Sequence, residues 1–259
     1  MVMAVEQVSW GQVGEDELAR IVVVSPHFDD AALGASHLLT RFAEPGRCTV
    51  ITVLGGRPAA YPDEPTDWDA AGGFKSGDDV VAVRREEDRA AMAVLGAEPV
   101  WLDFADHQYL AKGERPTAEE VAPVLEAAIL ATGATATFLP MGLANPDHVM
   151  THDAGRIVLA RHPELAWFGY EDHGYKHIPG ILAWRVAKMF RAGLWPTPAM
   201  VPLDIDAGRK RKAISCYTSQ IGPLERDHAL SERLAANVPE QMWRLAPPPS
   251  GWERLIDDV

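Results

Sequence analysis

The chain has 259 residues, 47% of them hydrophobic, and carries 24 Lys and Arg against 37 Asp and Glu, a formal net charge of −13. This length is sufficient for a large core and is typical of one α/β domain. The acidic balance argues against a nucleic-acid partner, because binding to phosphates requires clustered Lys and Arg. The one basic cluster, "GRKRK" at 208–212, is interpreted as part of a solvated helix.

The composition of the N-terminal residues, the lack of a long apolar run and the cysteine count favour a cytoplasmic location. Residues 1–18 are acidic and lack the basic start of a signal peptide, so we interpret them as an N-terminal extension. No run reaches the 18 or more apolar residues of a membrane span, which predicts no membrane partner. Cys48 and Cys216 form neither a disulfide framework nor a CxxC pair, as expected in a reducing compartment.

Hydrophobic periodicity predicts alternating strands and helices along a single domain, 1–259. In chain order the predicted elements are a strand at 20–26, a helix at 30–43, a strand at 48–56, a helix at 79–98, a strand at 99–106, a helix at 117–132, a strand at 134–142, a helix at 148–162, a strand at 165–172, and helices at about 180–193 and 206–219. Residues 57–79 are too irregular for an element, and about 220–259 form a Pro-rich C-terminal segment. The alternation predicts an α/β fold with a doubly wound, mostly parallel sheet flanked by helices (Rossmann-like).

Polar side chains follow most of the predicted strands. The strand ends are followed by "PHFDD", "GGRP", "DFAD", "GLANPDH" and "YEDH". In open α/β sheets ligands bind beyond the carboxyl ends of the strands, so these groups are expected to converge. Four of the five are rich in His and Asp, which indicates a catalytic or metal site.

The first and fourth loops supply a candidate metal-ligand set. His27, Asp30 and His148 provide two imidazoles and one carboxylate, which suit a divalent metal with open positions such as catalytic Zn²⁺. Asp29 is then free to act as a general base. The competing structural interpretation is that Asp29 or Asp30 only caps the following helix. A competing enzyme class is a non-haem Fe(II) oxygenase, in which His27, Asp29 and His148 form the facial triad.

These motifs resemble the PIG-L, or LmbE-like, metal-dependent de-N-acetylases. The resemblance rests on "VVVSPHFDDAALG", "RREEDRAAMAVLG", "WLDFAD" and the later "PDH", and extends over residues 20–220 with "YEDHGY" and "RKAISCYTSQ". It implies a hydrolase that removes the N-acetyl group from an N-acetylglucosamine-type sugar or glycoconjugate, using Zn²⁺ or another divalent metal such as Fe²⁺. A small-molecule amino-sugar conjugate is the implied partner.

The resemblance also implies roles for individual residues. His27, Asp30 and His148 match the metal ligands, and Asp29 matches the general base. Arg84 and Asp106 match residues that hold the sugar; Arg85, the neighbour of Arg84, is expected to be solvated.

One position departs from the family pattern. Asn145 stands where the family usually has a histidine that assists the tetrahedral intermediate or the leaving amine. Asn145 can donate a hydrogen bond but cannot transfer a proton, so His152, one turn after His148, is a candidate to replace that function. Otherwise Asp29 acts as base and then as acid. Because of this departure, a second alternative stays open, namely that the protein binds sugars but does not catalyse a reaction on them.

Three further side chains are candidates for the rim of the site. His107 follows Asp106 and either lines the pocket or lies in a surface loop. Trp68 either stacks on a sugar or packs its own loop down. Tyr175 lies beyond the fifth strand, where a substrate rim is expected.

Overall fold

The computed structural model describes residues 13–248 except positions 112 and 237. Within these residues the strands are Ile21–Ser25 (β1), Cys48–Thr52 (β2), Glu98–Trp101 (β3), Ala136–Pro140 (β4), Ala166–Tyr170 (β5), Trp195–Ala199 (β6) and Met242–Ala246 (β7). The α-helices are Asp30–Arg41 (α1), Asp67–Ala71 (α2), Val80–Leu95 (α3), Ala118–Thr132 (α4), Pro146–Arg161 (α5), Ile181–Arg191 (α6), Ala207–Ile214 (α7), Thr218–His228 (α8) and Leu230–Ala236 (α9), with short 3-10 helices at Asp16–Leu18 and His107–Tyr109.

The described strands form one mostly parallel sheet, which confirms the predicted fold class. Their order is β3-β2-β1-β4-β5-β7-β6, and only the pairs made by β7, with β5 and with β6, are antiparallel. The chain moves outward from β1 through β2 to β3, and then returns to the other side of β1 for β4. The sheet therefore reverses its winding between β1 and β4, and such a switch point is where open α/β sheets bind ligands.

Helices cover both faces of the sheet because β1 is apolar on both sides. Ile21 and Val23 pack into the core beneath α1, α3 and α7, whereas Val22 and Val24 pack into the opposite core beneath α4 and α5. All four side chains are fully buried. This accounts for the unbroken β-branched run in the sequence, since a strand covered on both faces has no solvent side to carry polar residues.

The structure differs from the sequence predictions in several regions, including the strand β6, which was not predicted. Residues 57–79, expected to be irregular, contain α2, whose first turn is capped by the Thr66 side chain accepting from the Asp69 amide. The predicted helix 206–219 is divided into α7 and α8, and the segment after about residue 220 includes α9 and β7. In the described part of the chain no helix combines the length and apolar character needed to cross a membrane.

Candidate active site

The winding reversal brings two loops together at the carboxyl edge of the sheet. The loop between β1 and α1 carries His27 and Asp29, and the loop between β4 and α5 ends at Asn145. Between them lies a cavity of about 220 Å³ whose wall includes Asp30 and His148. The structure therefore brings the polar groups of separate strand ends into one pocket, as the predicted topology requires.

His27, Asp30 and His148 have the spacing of ligands around one metal ion. His27 Nδ1 lies 3.2 Å and His148 Nε2 lies 3.3 Å from the same Asp30 Oδ2. A tetrahedral site with bonds near 2.0 Å separates its ligand atoms by about 3.3 Å. Two imidazoles and a carboxylate at this spacing fit Zn²⁺, and all three residues line the cavity.

The β1–α1 turn is fixed by hydrogen bonds that hold Asp30 toward His27. The Ser25 hydroxyl accepts from the Ala31 amide at 3.0 Å and donates to the His27 carbonyl. Asp30 Oδ2 accepts from the His27 amide at 3.0 Å. Asp29 occupies the N-cap position of α1 yet makes no side-chain capping bond. The structural alternative was that Asp29 or Asp30 caps the helix. Asp29 makes no such bond, and Asp30 accepts from the amide of His27, which precedes the helix.

Two further carboxylates orient the imidazoles of His27 and His148 by bonding the ring nitrogens that do not face Asp30. Asp172 Oδ1 bonds His148 Nδ1, and Asp147 Oδ2 lies 3.0 Å from His27 Nε2. Burial opposes the charged form of His27, but hydrogen bonds to Asp147 and Asp30 outweigh it and raise the pKa of His27 well above its ordinary value. Carboxylates in this position fix the ring and make the imidazole a more basic ligand.

Asp29 lies in the cavity wall beside this ligand set. It is 7% exposed, and burial together with the charge of Asp30 raises the pKa of its carboxyl to about 7. A carboxyl poised near neutrality is suited to accept and return a proton.

Arg84 and Asp106, the candidate sugar-binding residues, both line the cavity. The Arg84 guanidinium is buried and pairs with Asp69 of α2 at 2.7 Å, while its Nε is buried without a hydrogen-bond partner. Asp106 accepts from the Gln108 amide at 3.0 Å and from the Gln108 side chain at 2.8 Å. Arg85, expected to be solvated, instead donates to the Gly55 carbonyl at 2.7 Å, and its guanidinium lies over the ring of Trp101.

Asn145 is held by two hydrogen bonds at the start of α5. Its Oδ1 accepts from the Asp147 amide at 2.8 Å, and its Nδ2 donates to the Tyr175 hydroxyl at 3.0 Å. Both Asn145 and Tyr175 line the cavity.

His152 lies away from the cavity that the other candidates share. It is fully buried, its Nδ1 bonds the Pro140 carbonyl at 2.7 Å, and its Nε2 has no hydrogen-bond partner. Burial, followed by the charge of Arg185, lowers the pKa of His152 well below its ordinary value. The predicted constellation thus assembles around the cavity with His152 left out.

Residues that the sequence singled out weakly, or not at all, complete the pocket. His107 lines it and bonds Asp147. Trp68 lies in its wall and donates to Gln220 at 2.8 Å, so this side chain both packs its loop and faces the cavity. Asp147 was recognisable only as part of "NPDH", and Asp172 only as part of "YEDH".

Comparison with known proteins places this site in a family. Residues 22–159, more than half of the chain, match the model of the PIG-L family, described as GlcNAc-PI de-N-acetylase. The chain belongs to the PIG-L family.

Solved structures share the fold of this PIG-L family chain. A zinc-inhibited form of teicoplanin deacetylase is 22% identical with a TM-score of 0.70, covering 90% of this chain and 100% of that one. The A40926 pseudoaglycone deacetylase is 24% identical with a TM-score of 0.69, covering 90% and 99%. N,N'-diacetylchitobiose deacetylase from Pyrococcus horikoshii is 18% identical with a TM-score of 0.56, covering 92% and 89%.

The oxygenase alternative has no support in the site. The facial triad requires Asp29 as the carboxylate ligand. Among the described residues two groups have ligand spacing, one of His27, Asp30 and His148 and one of His27, Asp106, His107 and Asp147, and neither includes Asp29. The α/β sheet also differs from the all-β barrels typical of such oxygenases.

Proposed function

We propose that the protein is a metal-dependent hydrolase that removes the acetyl group from an N-acetylglucosamine-type sugar or glycoconjugate. The observation that carries this proposal is the position of Asp29. It is a buried carboxyl that caps nothing and lies in one cavity with a two-imidazole, one-carboxylate ligand set. That pairing of a free base with a metal site is the minimum required to activate water against an amide.

His27, Asp30 and His148 are the residues that would hold the metal, which we propose is Zn²⁺, with Fe²⁺ as the alternative. When bound, such an ion lowers the pKa of a water molecule and polarises a carbonyl oxygen. Asp147 and Asp172 hold the two imidazoles in place from behind, so the ligands keep their orientation during turnover.

Asp29 acts on the attacking water. It accepts one proton as the oxygen adds to the acetyl carbon. The raised pKa of Asp29, caused by burial and by Asp30, matches this role because the carboxylate and the acid are then close in free energy near neutral pH.

The cavity wall holds the sugar. Asp106 offers a carboxylate for hydroxyl groups, and Arg84 offers a guanidinium that is fixed by Asp69. Asn145 and Tyr175 offer neutral donors near His148 for the carbonyl oxygen. His152 is proposed to support the β4–α5 turn, since its ring bonds the carbonyl of Pro140 instead of facing the cavity.

The substrate class follows from the chemistry of the wall and from the relatives. The cavity combines carboxylate, amide and guanidinium groups with the rings of Trp68 and Tyr175. This mixture suits a sugar joined to a less polar group. The solved relatives are described as deacetylases of the A40926 pseudoaglycone and of N,N'-diacetylchitobiose. We therefore propose a small amino-sugar conjugate as the substrate.

Amine release from a panel of N-acetylhexosamine glycosides tests the function. The protein is stripped with a chelator, reloaded with Zn²⁺ or Fe²⁺, and assayed with an amine-reactive dye. We expect amine and acetate in equal amounts from at least one glycoside, only in the reloaded protein. Glycoside binding without amine release by any metal-loaded form would instead identify a non-catalytic sugar-binding protein.

A further inference from the structure

The cavity lacks the histidine expected at the start of α5, and Asn145 cannot replace its proton chemistry. Its amide oxygen accepts from the Asp147 amide, and its amide nitrogen donates to Tyr175. An amide side chain has no proton to transfer near neutral pH. Amide hydrolysis nevertheless requires a proton for the departing nitrogen.

A histidine from a different element reaches the same corner of the cavity. His107 begins the 3-10 helix that follows β3, and its Nδ1 bonds Oδ2 of Asp147, two residues beyond Asn145. The ring is 29% exposed and lines the cavity with Asp29 and His148. With Nδ1 turned to Asp147, Nε2 is the nitrogen left to meet a substrate.

The surroundings of His107 favour its protonated form. Asp106, on its own segment, places Oδ1 3.3 Å from Nδ1, and Asp147 approaches from α5. Hydrogen bonds to these two carboxylates raise the pKa of His107 to about 9. His27 of the β1–α1 loop also lies nearby, with a ring nitrogen within 4.8 Å.

We propose that His107 is the proton donor to the departing amine, in the place that Asn145 cannot fill; this rests on the proposed deacetylase function. As the carbon–nitrogen bond breaks, its electron pair remains on nitrogen, which takes the proton from His107 Nε2. Asp29 has by then accepted one proton from water, and that proton reprotonates His107 through solvent. Water and amide are thus converted into acetic acid and amine, with both side chains returned to their starting forms.

Steady-state kinetics of His107→Gln with metal content measured in parallel test the assignment. We expect kcat to fall by roughly 10²–10⁴, the range for a lost general acid, with KM and bound metal near the wild-type values. The alkaline limb of the wild-type rate profile should disappear, because the rate falls with rising pH only while His107 can lose its proton. Added imidazole should partly restore the kcat of the His107→Ala variant. The control is His162→Gln, which pairs with Glu126 and Glu164 at the surface and should retain full activity.

Nitrogen NMR of the His107 ring in the metal-loaded protein gives a readout that does not depend on turnover. We expect both ring nitrogens to carry protons at neutral pH, and Asp106→Asn to lower the pKa of the ring. A ring that is neutral at pH 7, or one whose Nδ1 binds a second equivalent of zinc, would overturn the proposal. Normal amine release by His107→Gln would refute the role of His107 as proton donor and would leave the proposed deacetylase function standing. Lack of release by the wild type, with the ring protonated, would refute the deacetylase function and with it this role.

Discussion

At the residue scale, Asp30 is the side chain that joins the two halves of the ligand set. One oxygen of Asp30 lies at ligand spacing from His27 of the β1–α1 loop and from His148 of α5, so the two imidazoles share it as their common neighbour. Losing this carboxylate leaves two neutral ligands, which hold a divalent metal poorly.

We therefore expect Asp30→Ala to lose bound metal and activity together. Metal content after gel filtration, measured by mass spectrometry, checks the first effect, and amine release checks the second. Asp103→Ala, at an exposed position outside the cavity, is the control and should keep both. Stoichiometric metal in Asp30→Ala with metal lost from Asp29→Ala would reverse the assignment of the two aspartates.

Asp172 acts on the metal through His148, so its loss should weaken the binding of the metal without abolishing it. Because the Asp172 carboxylate bonds the far nitrogen of the ring, Asp172→Asn should weaken metal binding by about 10–100-fold. Competition with a fluorescent chelator measures this change. Asp227→Asn, at an exposed pair with Arg226, should leave the affinity as in the wild type, and an unchanged affinity in Asp172→Asn would remove Asp172 from the metal site.

Sequence reasoning identified residues at the strand ends, including His107 as a candidate for the pocket lining, but it did not predict which side chains pair with one another through space. His27, Asp29 and Asp30 form a continuous string after β1, so their chemistry is visible without a structure. Asp172 is 24 residues from the imidazole it orients, and His107 is 40 residues from Asp147. The expected role of His152 came from helical spacing alone, but its turn of α5 faces Pro140 and Arg185 instead of the cavity.

At the element scale, helix α2 is the part of the long 57–79 segment that builds the site. It carries Asp69, which fixes Arg84, and Trp68, which bonds Gln220 of α8. Gly72 allows this approach, since a Cβ there would lie 2.4 Å from the Ser219 carbonyl oxygen.

Gly72→Ala should consequently displace α2 from α8. We expect a loss of about 1–3 kcal/mol of stability, the usual cost of overpacking, together with a raised KM as Arg84 loses its support. Urea denaturation and kinetics measure the two effects. Gly113→Ala, where an added Cβ meets nothing within 4 Å, is the matched control. Equal behaviour of the two variants would show that α2 does not depend on this contact.

The strand β6 could not be predicted because two of its five residues are prolines. Proline cannot donate to a sheet ladder and is confined to sheet edges. Among the described strands β6 is such an edge and pairs with β7 alone, which lies far along the chain and supplies the antiparallel partner. The pairing with β7 defines β6 as a strand, and the local periodicity of the sequence carries no information about a partner so far along the chain.

At the scale of the whole molecule, the winding of the sheet was predictable and the balance of buried charge was not. Alternating strands and helices, with an apolar run for each central strand, are sufficient for a doubly wound sheet and for a site at its carboxyl edge. Which histidines are charged depends on burial and on partners from distant elements. His107 and His152 show this, since the pKa of one is raised by carboxylates and that of the other is lowered by burial.

His152 predicts a pH dependence of folding stability. Its lowered pKa means that the folded state binds fewer protons than the unfolded chain, so stability is lost as the pH falls below the ordinary value of 6.5. The loss attributable to this one group is at most about 1.4 kcal/mol per pH unit. Denaturation of the wild type and of His152→Gln at several pH values should give a smaller acid-induced loss in the variant. Parallel curves would mean that the pKa of His152 is the same in the folded and unfolded states, and would contradict the lowered pKa.

The most direct test of a metal-activated water mechanism is a single-turnover measurement of acetate release by zinc-loaded Asp29→Asn. This variant should bind zinc at the wild-type stoichiometry, because the ligand spacing involves Asp30 and not Asp29. Its rate of acetate release should nevertheless fall by roughly 10²–10⁴, as expected for a lost general base. Acetate release at the wild-type rate with zinc bound would contradict the account.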